Sequence, residues 1–183
     1  MYGEAELDVG SLAEYAIFKA AFIFKIPEGM TNEEAAPLMC GGATVFAAMY
    51  NLNVRPSDRV GIVGVGGLGH LAIQFASKMG CDVVVFSGTD SKKEEATKLG
   101  ANEFYATKGL KKLEFKDAKK LDWLFATTSS QIDWGMYMSI MSPLGSIVPL
   151  GLSDDATMLH PYQPMLMNGL KIVGSIVASR HVQ

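Results

Sequence analysis

The stretch Arg59-Val60-Gly61-Ile62-Val63-Gly64-Val65-Gly66-Gly67-Leu68-Gly69-His70-Leu71-Ala72 decides the fold. Its first half is an apolar run of strand length, and its second half opens a helical pattern. Between them Gly64, Gly66 and Gly69 stand at the G-x-G-x-x-G spacing. That spacing is weak in isolation and informative where a strand runs straight into a helix. Gly64 suits a tight turn, Gly66 lets a pyrophosphate approach the backbone, and Gly69 lets the helix pack close to the sheet. Gly67 and Leu68 complete the turn. The free N–H groups of the helix start, with the positive end of its dipole, then face the phosphate.

From Arg59 onward strand and helix alternate. Strands are expected at Arg59–Val63, Asp82–Phe86, Glu103–Tyr105, Leu121–Ala126, Gly145–Leu150 and Lys171–Val177. Helices are expected at Leu68–Met79, stopped by Gly80, and at Ser91–Leu99, stopped by Gly100. This alternation predicts an α/β fold, a doubly wound, parallel, six-stranded Rossmann sheet with right-handed crossovers. Upstream, Thr31 and Glu34 have capping-box spacing, and a helix is expected at Ala43–Asn51. Further upstream, Gly10–Pro27 carries β-formers at Ala16–Phe18 and Phe22–Phe24 and reads as extended segments. The run Lys108–Lys120 holds six lysines against two acids and reads as a solvated surface.

The end of the second strand bears on cofactor type. A site for NAD places Asp or Glu about 20 residues past the first glycine, on the ribose hydroxyls. Here Ser87 occupies that place, followed by Gly88, Thr89, Asp90, Ser91, Lys92 and Lys93. A carboxylate there would repel a 2′-phosphate, whereas a serine donates to it and a lysine neutralises it. The reading favours NADP. Asp90, able to turn toward a ribose, is the counter-argument.

Composition excludes several classes. The 183 residues carry 16 basic and 19 acidic side chains, a net charge of −3, with 49% hydrophobic residues. That allows a sizeable core and gives no basic excess for nucleic acid or an anionic membrane. No apolar run approaches the roughly 20 residues of a membrane helix. The polar N-terminus, Met1–Val9, is unlike a signal peptide. A cytoplasmic protein is expected. Two cysteines, Cys40 and Cys81, cannot form a disulfide framework or a four-cysteine zinc site. The histidines, His70, His160 and His181, are dispersed. His70, at the helix start, reads as a surface histidine over a proton relay. Met136, Met138 and Met141 read as core packing, and Cys81 as inert.

The runs Glu34-Ala-Ala-Pro-Leu-Met-Cys40-Gly-Gly-Ala-Thr44, Asp58-Arg-Val-Gly-Ile-Val-Gly64 and Gly66-Gly-Leu-Gly-His-Leu-Ala72 resemble the medium-chain zinc alcohol dehydrogenases. Ser87, Lys92 and Lys171-Ile-Val-Gly-Ser-Ile176 are similar to the NADP-dependent cinnamyl alcohol dehydrogenase group. The resemblance implies that residues 1–30 are the last strands of a catalytic, GroES-like domain. It implies that residues 31–183 are an NADP-binding Rossmann domain, cut short at its C-terminus. By the same resemblance Cys40 matches the later cysteine ligand of a catalytic zinc whose other ligands lie in the missing part. Thr44 matches the threonine approaching the nicotinamide, and Ser87 with Lys92 matches the 2′-phosphate contacts. Gly88 stands where some members have arginine. Thr127 falls near the adenosine side. Gly151 falls near the nicotinamide, as do Gly174, Ser175 and Ile176 within the last strand.

The resemblance implies hydride transfer between NADP(H) and a primary alcohol or aldehyde, aromatic or bulky, with zinc polarising the oxygen in the full-length enzyme. This chain alone is expected to be inactive. A homodimer through the edge strand Lys171–Val177 is expected, since an apolar edge needs covering. Two alternatives remain at this point: a module that holds NADP without chemistry, and a zinc-free quinone-reductase relative, which Cys40 argues against. A methyltransferase is disfavoured by Ser87, because its donor's ribose wants an acid there.

Overall fold

The structure, a computed structural model, describes residues 13–115, 119–152, 162–179 and 181–182. His160 and Met1–Val9 lie outside the described residues, as do parts of the Gly10–Pro27 segment and of the lysine run. The chain divides into two compact units, Met1–Ala35 and Ala36–Gln183.

In the first unit the Thr31 amide donates to Glu34 Oε2 at 2.9 Å, and the Glu34 amide to Thr31 Oγ1 at 3.3 Å. This is the reciprocal cap expected from the sequence, and it starts helix α1, Asn32–Ala35. The remnant strands expected upstream do not form among the described residues. Backbone at Lys19 and Ile23 is extended, with a 3-10 turn at Ala20–Phe22 between them. The β-formers are there, but a strand is completed by a neighbouring strand, and the described residues of this unit supply none.

The second unit carries helix α2 (Gly41–Asn51), then strand β1 (Arg59–Val63), helix α3 (Gly67–Lys78) and strand β2 (Asp82–Ser87). Helix α4 (Lys93–Leu99), strand β3 (Glu103–Ala106) and strand β4 (Leu121–Ala126) follow. Helix α5 (Trp134–Met138), strand β5 (Met141–Pro149), helix α6 (Tyr162–Asn168) and strand β6 (Lys171–Ile172) complete it. The six strands form one sheet in the order β3-β2-β1-β4-β5-β6, and every pair is parallel. The order reverses between β1 and β4, where doubly wound sheets open a crevice at the carboxyl ends of their strands.

Alternating side chains divide the core between the two faces. Val60, Ile62, Val83, Val85, Phe125 and Val148 join α2, α3 and α4 on one face. Val63, Val84, Phe86, Leu124 and Ile147 join Tyr137 and Met138 of α5 on the other. Met138 and Met141 are fully buried there, as packing predicts, while Met136 is half-buried.

The last strand is shorter than expected. Only Lys171 and Ile172 pair, with Ser146 and Ile147, and the Val173 amide donates once more to the Ile147 carbonyl. Val177 turns to φ +44, a left-handed conformation that a β-branched residue avoids and a strand cannot hold. The edge strand is therefore Lys171–Ile172, not Lys171–Val177. Strand β5 starts earlier than expected, but between Leu121 and Trp123 its register against β4 jumps from Met141 to Ser146. The regular pairing thus begins beside the predicted Gly145 start.

At the end of the sheet where β1 begins, Arg59 is buried and paired with Asp82 and Glu103, each at 2.6 Å. Its guanidinium lies 4.9 Å from the Phe115 ring centroid. The Arg59 amide donates to Asp122 Oδ2 at 2.9 Å. These contacts tie β1, β2, β3 and β4 together away from the carboxyl ends.

Candidate functional site

At the carboxyl end of β1, Gly64 adopts φ +98, which suits glycine alone. The chain then enters α3 with Gly66 at its N-cap, where no side chain caps the helix and no acid occupies the first turn. The Gly66 carbonyl accepts the His70 amide at 2.7 Å, so the helix begins directly on the glycine turn. The amides of that first turn and the dipole behind them present an uncompensated positive end.

The three glycines differ in what surrounds them. A Cβ on Gly69 would collide with the Gly64 carbonyl oxygen and lie 2.9 Å from Thr127 Oγ1. A Cβ on Gly66 or Gly67 would meet nothing within 4 Å. Gly69 is thus needed for helix–strand packing, while Gly66 and Gly67 border open space. That open cradle, with its uncapped amides, fits a pyrophosphate.

Beside the turn lies a cleft of about 380 Å³ lined by Gly64 of the turn, Ser87 of β2 and Gly88. Thr107 and Lys108, just past β3, line it too, as do Thr128 past β4 and Tyr137 of α5. Ser87 is half-buried, and nothing lies within 4 Å of a Cβ placed on Gly88. Asp133, also on the lining, accepts the Met136 amide at 3.0 Å and so caps α5. Burial pushes the Tyr137 hydroxyl up to about 12; a hydrogen bond with Thr107 works against that rise, and Asp133 adds to it.

The other expected residues fall as follows. Thr127 donates its hydroxyl to the Val63 carbonyl at 2.9 Å and its amide to the same oxygen at 3.0 Å. Its hydroxyl proton is therefore engaged in joining β4 to β1. Lys92 is exposed and bonded to Glu95 at 2.7 Å, and it is not part of the cleft lining. Leu68 is half-buried on α3 and packs against the core of that face. Gly151 follows β5, where its Cβ position is filled by the Thr128 carbonyl, so it packs the loops at the strand ends. Gly174, Ser175 and Ile176 lie past β6 in coil and not within a strand.

Thr44 is half-buried in the first turn of α2, and its amide donates to the Cys40 carbonyl at 2.9 Å. Cys40 is exposed at the N-cap of that helix. A Cβ on Gly41 would lie 3.4 Å from Leu71 and 3.6 Å from Leu68, so the start of α2 sits against the start of α3. A catalytic zinc needs three protein ligands, and among the described residues no group of three His, Cys, Asp or Glu side chains could hold a metal. The described residues therefore do not fit a zinc site, although Cys40 could contribute one ligand.

His70 is held within its helix, its Nδ1 3.1 Å from Gln74 Nε2. Cys81 donates its thiol to the Arg55 carbonyl at 3.3 Å, and burial, with a smaller contribution from Asp58, raises its pKa to about 11. Cys81 is buried and bonded, as an inert residue would be, whereas His70 is half-buried and not the surface histidine expected. Lys108 lines the cleft although in sequence it falls within the lysine run; its position two residues past the end of β3 is the signal that places it there. Among the described residues, no helix is long and apolar enough to cross a membrane.

The chain matches the zinc-binding dehydrogenase family over residues 67–183. It is 32% identical over 170 residues to aldehyde reductase AdhA of a Synechocystis species, covering 93% of this chain and 50% of that protein. It is 34% identical over 182 residues to a probable cinnamyl alcohol dehydrogenase of Populus deltoides, covering 98% of this chain and 50% of the relative. The chain thus spans about half the length of these curated relatives. Among solved structures, a cinnamyl alcohol dehydrogenase of Sorghum bicolor aligns with TM-score 0.81 and 30% identity, covering 89% of this chain and 46% of that one. The enzyme of that type from Helicobacter pylori, solved with NADP(H), aligns with TM-score 0.73 and 27% identity, covering 85% and 44%. With its six-stranded parallel sheet and glycine turn, the chain belongs to the zinc-binding dehydrogenase family of oxidoreductases and corresponds to the cofactor-binding half of its alcohol dehydrogenases.

Proposed function

We propose that this chain holds NADP(H) for an oxidoreductase that moves hydride between the nicotinamide and a primary alcohol or aldehyde, aromatic or bulky. The observation that carries the reading is the uncapped glycine turn at the sheet's switch point, opening beside a cleft whose β2 rim is Ser87 in place of an acid. NADP supplies the hydride chemistry when bound. In this reading the amides at Gly66, Gly67 and Leu68 bind the pyrophosphate. Gly64, Gly69 and Thr127 shape the turn. Ser87 donates to the 2′-phosphate, with Lys92 as a more distant cation. Thr44, with Gly151 and the coil at Gly174, Ser175 and Ile176, serves the nicotinamide end.

No zinc step is assigned, because the described residues do not form a zinc site. A homodimer through the edge beyond β5 completes the proposal, supported by exposed apolar side chains at Leu166, Met167 and Ile176 on either side of β6 in sequence. Calorimetric titration with NADP⁺ and with NAD⁺ tests the cofactor reading. Tighter binding of NADP⁺ by about tenfold is expected from one charge-assisted contact to the phosphate. Equal or tighter NAD⁺ binding would overturn it.

A further inference from the structure

The cleft beside the glycine turn has a charged rim that the sequence does not advertise. Among its described lining residues the cation is Lys108, and the acid, Asp133, is engaged in capping α5. Lys108 is placed by the strand ends. β3 pairs with β2 up to Ala106 against Ser87. Beyond that pair the Thr107 amide donates to the Ser87 carbonyl at 2.7 Å, and the Thr107 hydroxyl to the same oxygen at 3.1 Å. The Lys108 amide then donates to the Gly88 carbonyl at 3.0 Å. The ladder is thus extended by two residues, and it fixes the Lys108 backbone beside Ser87 and Gly88. Lys92, by contrast, is closed onto Glu95 at 2.7 Å.

From this arrangement we infer that Lys108 is a specificity-determining residue, supplying the positive charge that faces the 2′-phosphate of the cofactor across the Ser87–Gly88 corner. The inference rests on the NADP reading and assigns its charge selectivity to the end of β3. Ser87 offers one hydroxyl donor and no charge. Gly88 leaves space open, with nothing within 4 Å of its Cβ position. An ammonium group arriving from the neighbouring strand neutralises a phosphate there as a point charge. Lys108 is exposed, so holding it by the phosphate displaces no packed side chain.

The test is calorimetric titration of the 183-residue chain with 2′,5′-ADP and with 5′-AMP, which differ by the 2′-phosphate alone. Wild type is compared with Lys108→Ala, Lys108→Arg and Lys92→Ala. Loss of Lys108 is expected to weaken 2′,5′-ADP about tenfold and leave 5′-AMP unchanged. Lys108→Arg should retain most of the affinity, and Lys92→Ala should cost about threefold or less, as for an exposed ion pair. A preference for 2′,5′-ADP that is undiminished in Lys108→Ala, or that is lost in Lys92→Ala, would overturn the assignment while leaving the NADP reading standing. Equal weakening of both ligands by Lys108→Ala would also overturn it, showing a structural role. A wild-type chain without preference for 2′,5′-ADP would overturn both.

Discussion

The carbonyl oxygen of Gly64 occupies the space where a side chain on Gly69 would begin. One close approach therefore fixes both the angle at which α3 leaves β1 and the direction in which its first amides point. Thr127 closes the same corner from β4, donating to the Val63 carbonyl at 2.9 Å.

The two ends of the glycine motif should separate experimentally. Gly69→Ala forces a Cβ into backbone and should destabilise the chain by about 1–3 kcal/mol, the usual cost of overpacking. Gly66→Ala adds its Cβ to open space at an ordinary φ of −99 and should leave the denaturation midpoint unchanged. It should nevertheless weaken NADP⁺ about tenfold or more, because the methyl stands where pyrophosphate approaches. Urea denaturation and calorimetry on the two variants check this.

Ser87→Asp should invert cofactor preference. A carboxylate at the β2 rim repels the 2′-phosphate and accepts from ribose hydroxyls. NADP⁺ affinity should fall about tenfold or more and NAD⁺ affinity rise, as read by parallel titrations.

Arg59→Leu probes the opposite end of the sheet. It leaves Asp82 and Glu103 without their shared partner in a part-buried site. A fully buried pair would cost about 3–5 kcal/mol to break. Because the two carboxylates keep 35% and 27% exposure, the expected loss is nearer about 2 kcal/mol. The folded fraction should bind NADP⁺ as the wild type does.

Stability should fall on the alkaline side. The Cys81 thiol is raised from 9.0 to about 11, and the Tyr137 hydroxyl from 10.0 to about 12. Each group holds its proton more tightly when folded. Its contribution is therefore complete below the unfolded value and lost as pH rises through the folded one. The denaturation midpoint should decline between about pH 9 and 12. At pH 8 a thiol-alkylating reagent should modify exposed Cys40 and spare Cys81.

The sheet's first four strands were legible because each is an apolar run bounded by glycine, a turn or charge. Observed β1 and β4 begin and end on the expected residues, and β2 and β3 extend one residue further. Helices α5 and α6 have five and seven residues, too few for a helical period to show, whereas α4, also of seven, is legible from its Lys/Glu-rich composition and the Gly100 stop. The last strand is shorter than its sequence suggests for the opposite reason. Val173, Ile176 and Val177 are β-formers, but a strand's length is set by its neighbour, and pairing stops at Ile147. In the site, Ser87 and the glycine turn follow from local spacing. Lys108 does not, because its relation to Ser87 is a pairing between β2 and β3, and in sequence it looks like one lysine among six.

We propose that the glycine turn after β1 is the cofactor's phosphate cradle. Titration of the isotopically labelled 183-residue chain with NADP⁺, following backbone amide shifts, checks this residue by residue. Saturable changes centred on Gly66, Gly67, Leu68 and Ser87 are expected, with Arg59 and its partners unmoved. No saturable change, or changes centred away from that turn, would contradict it.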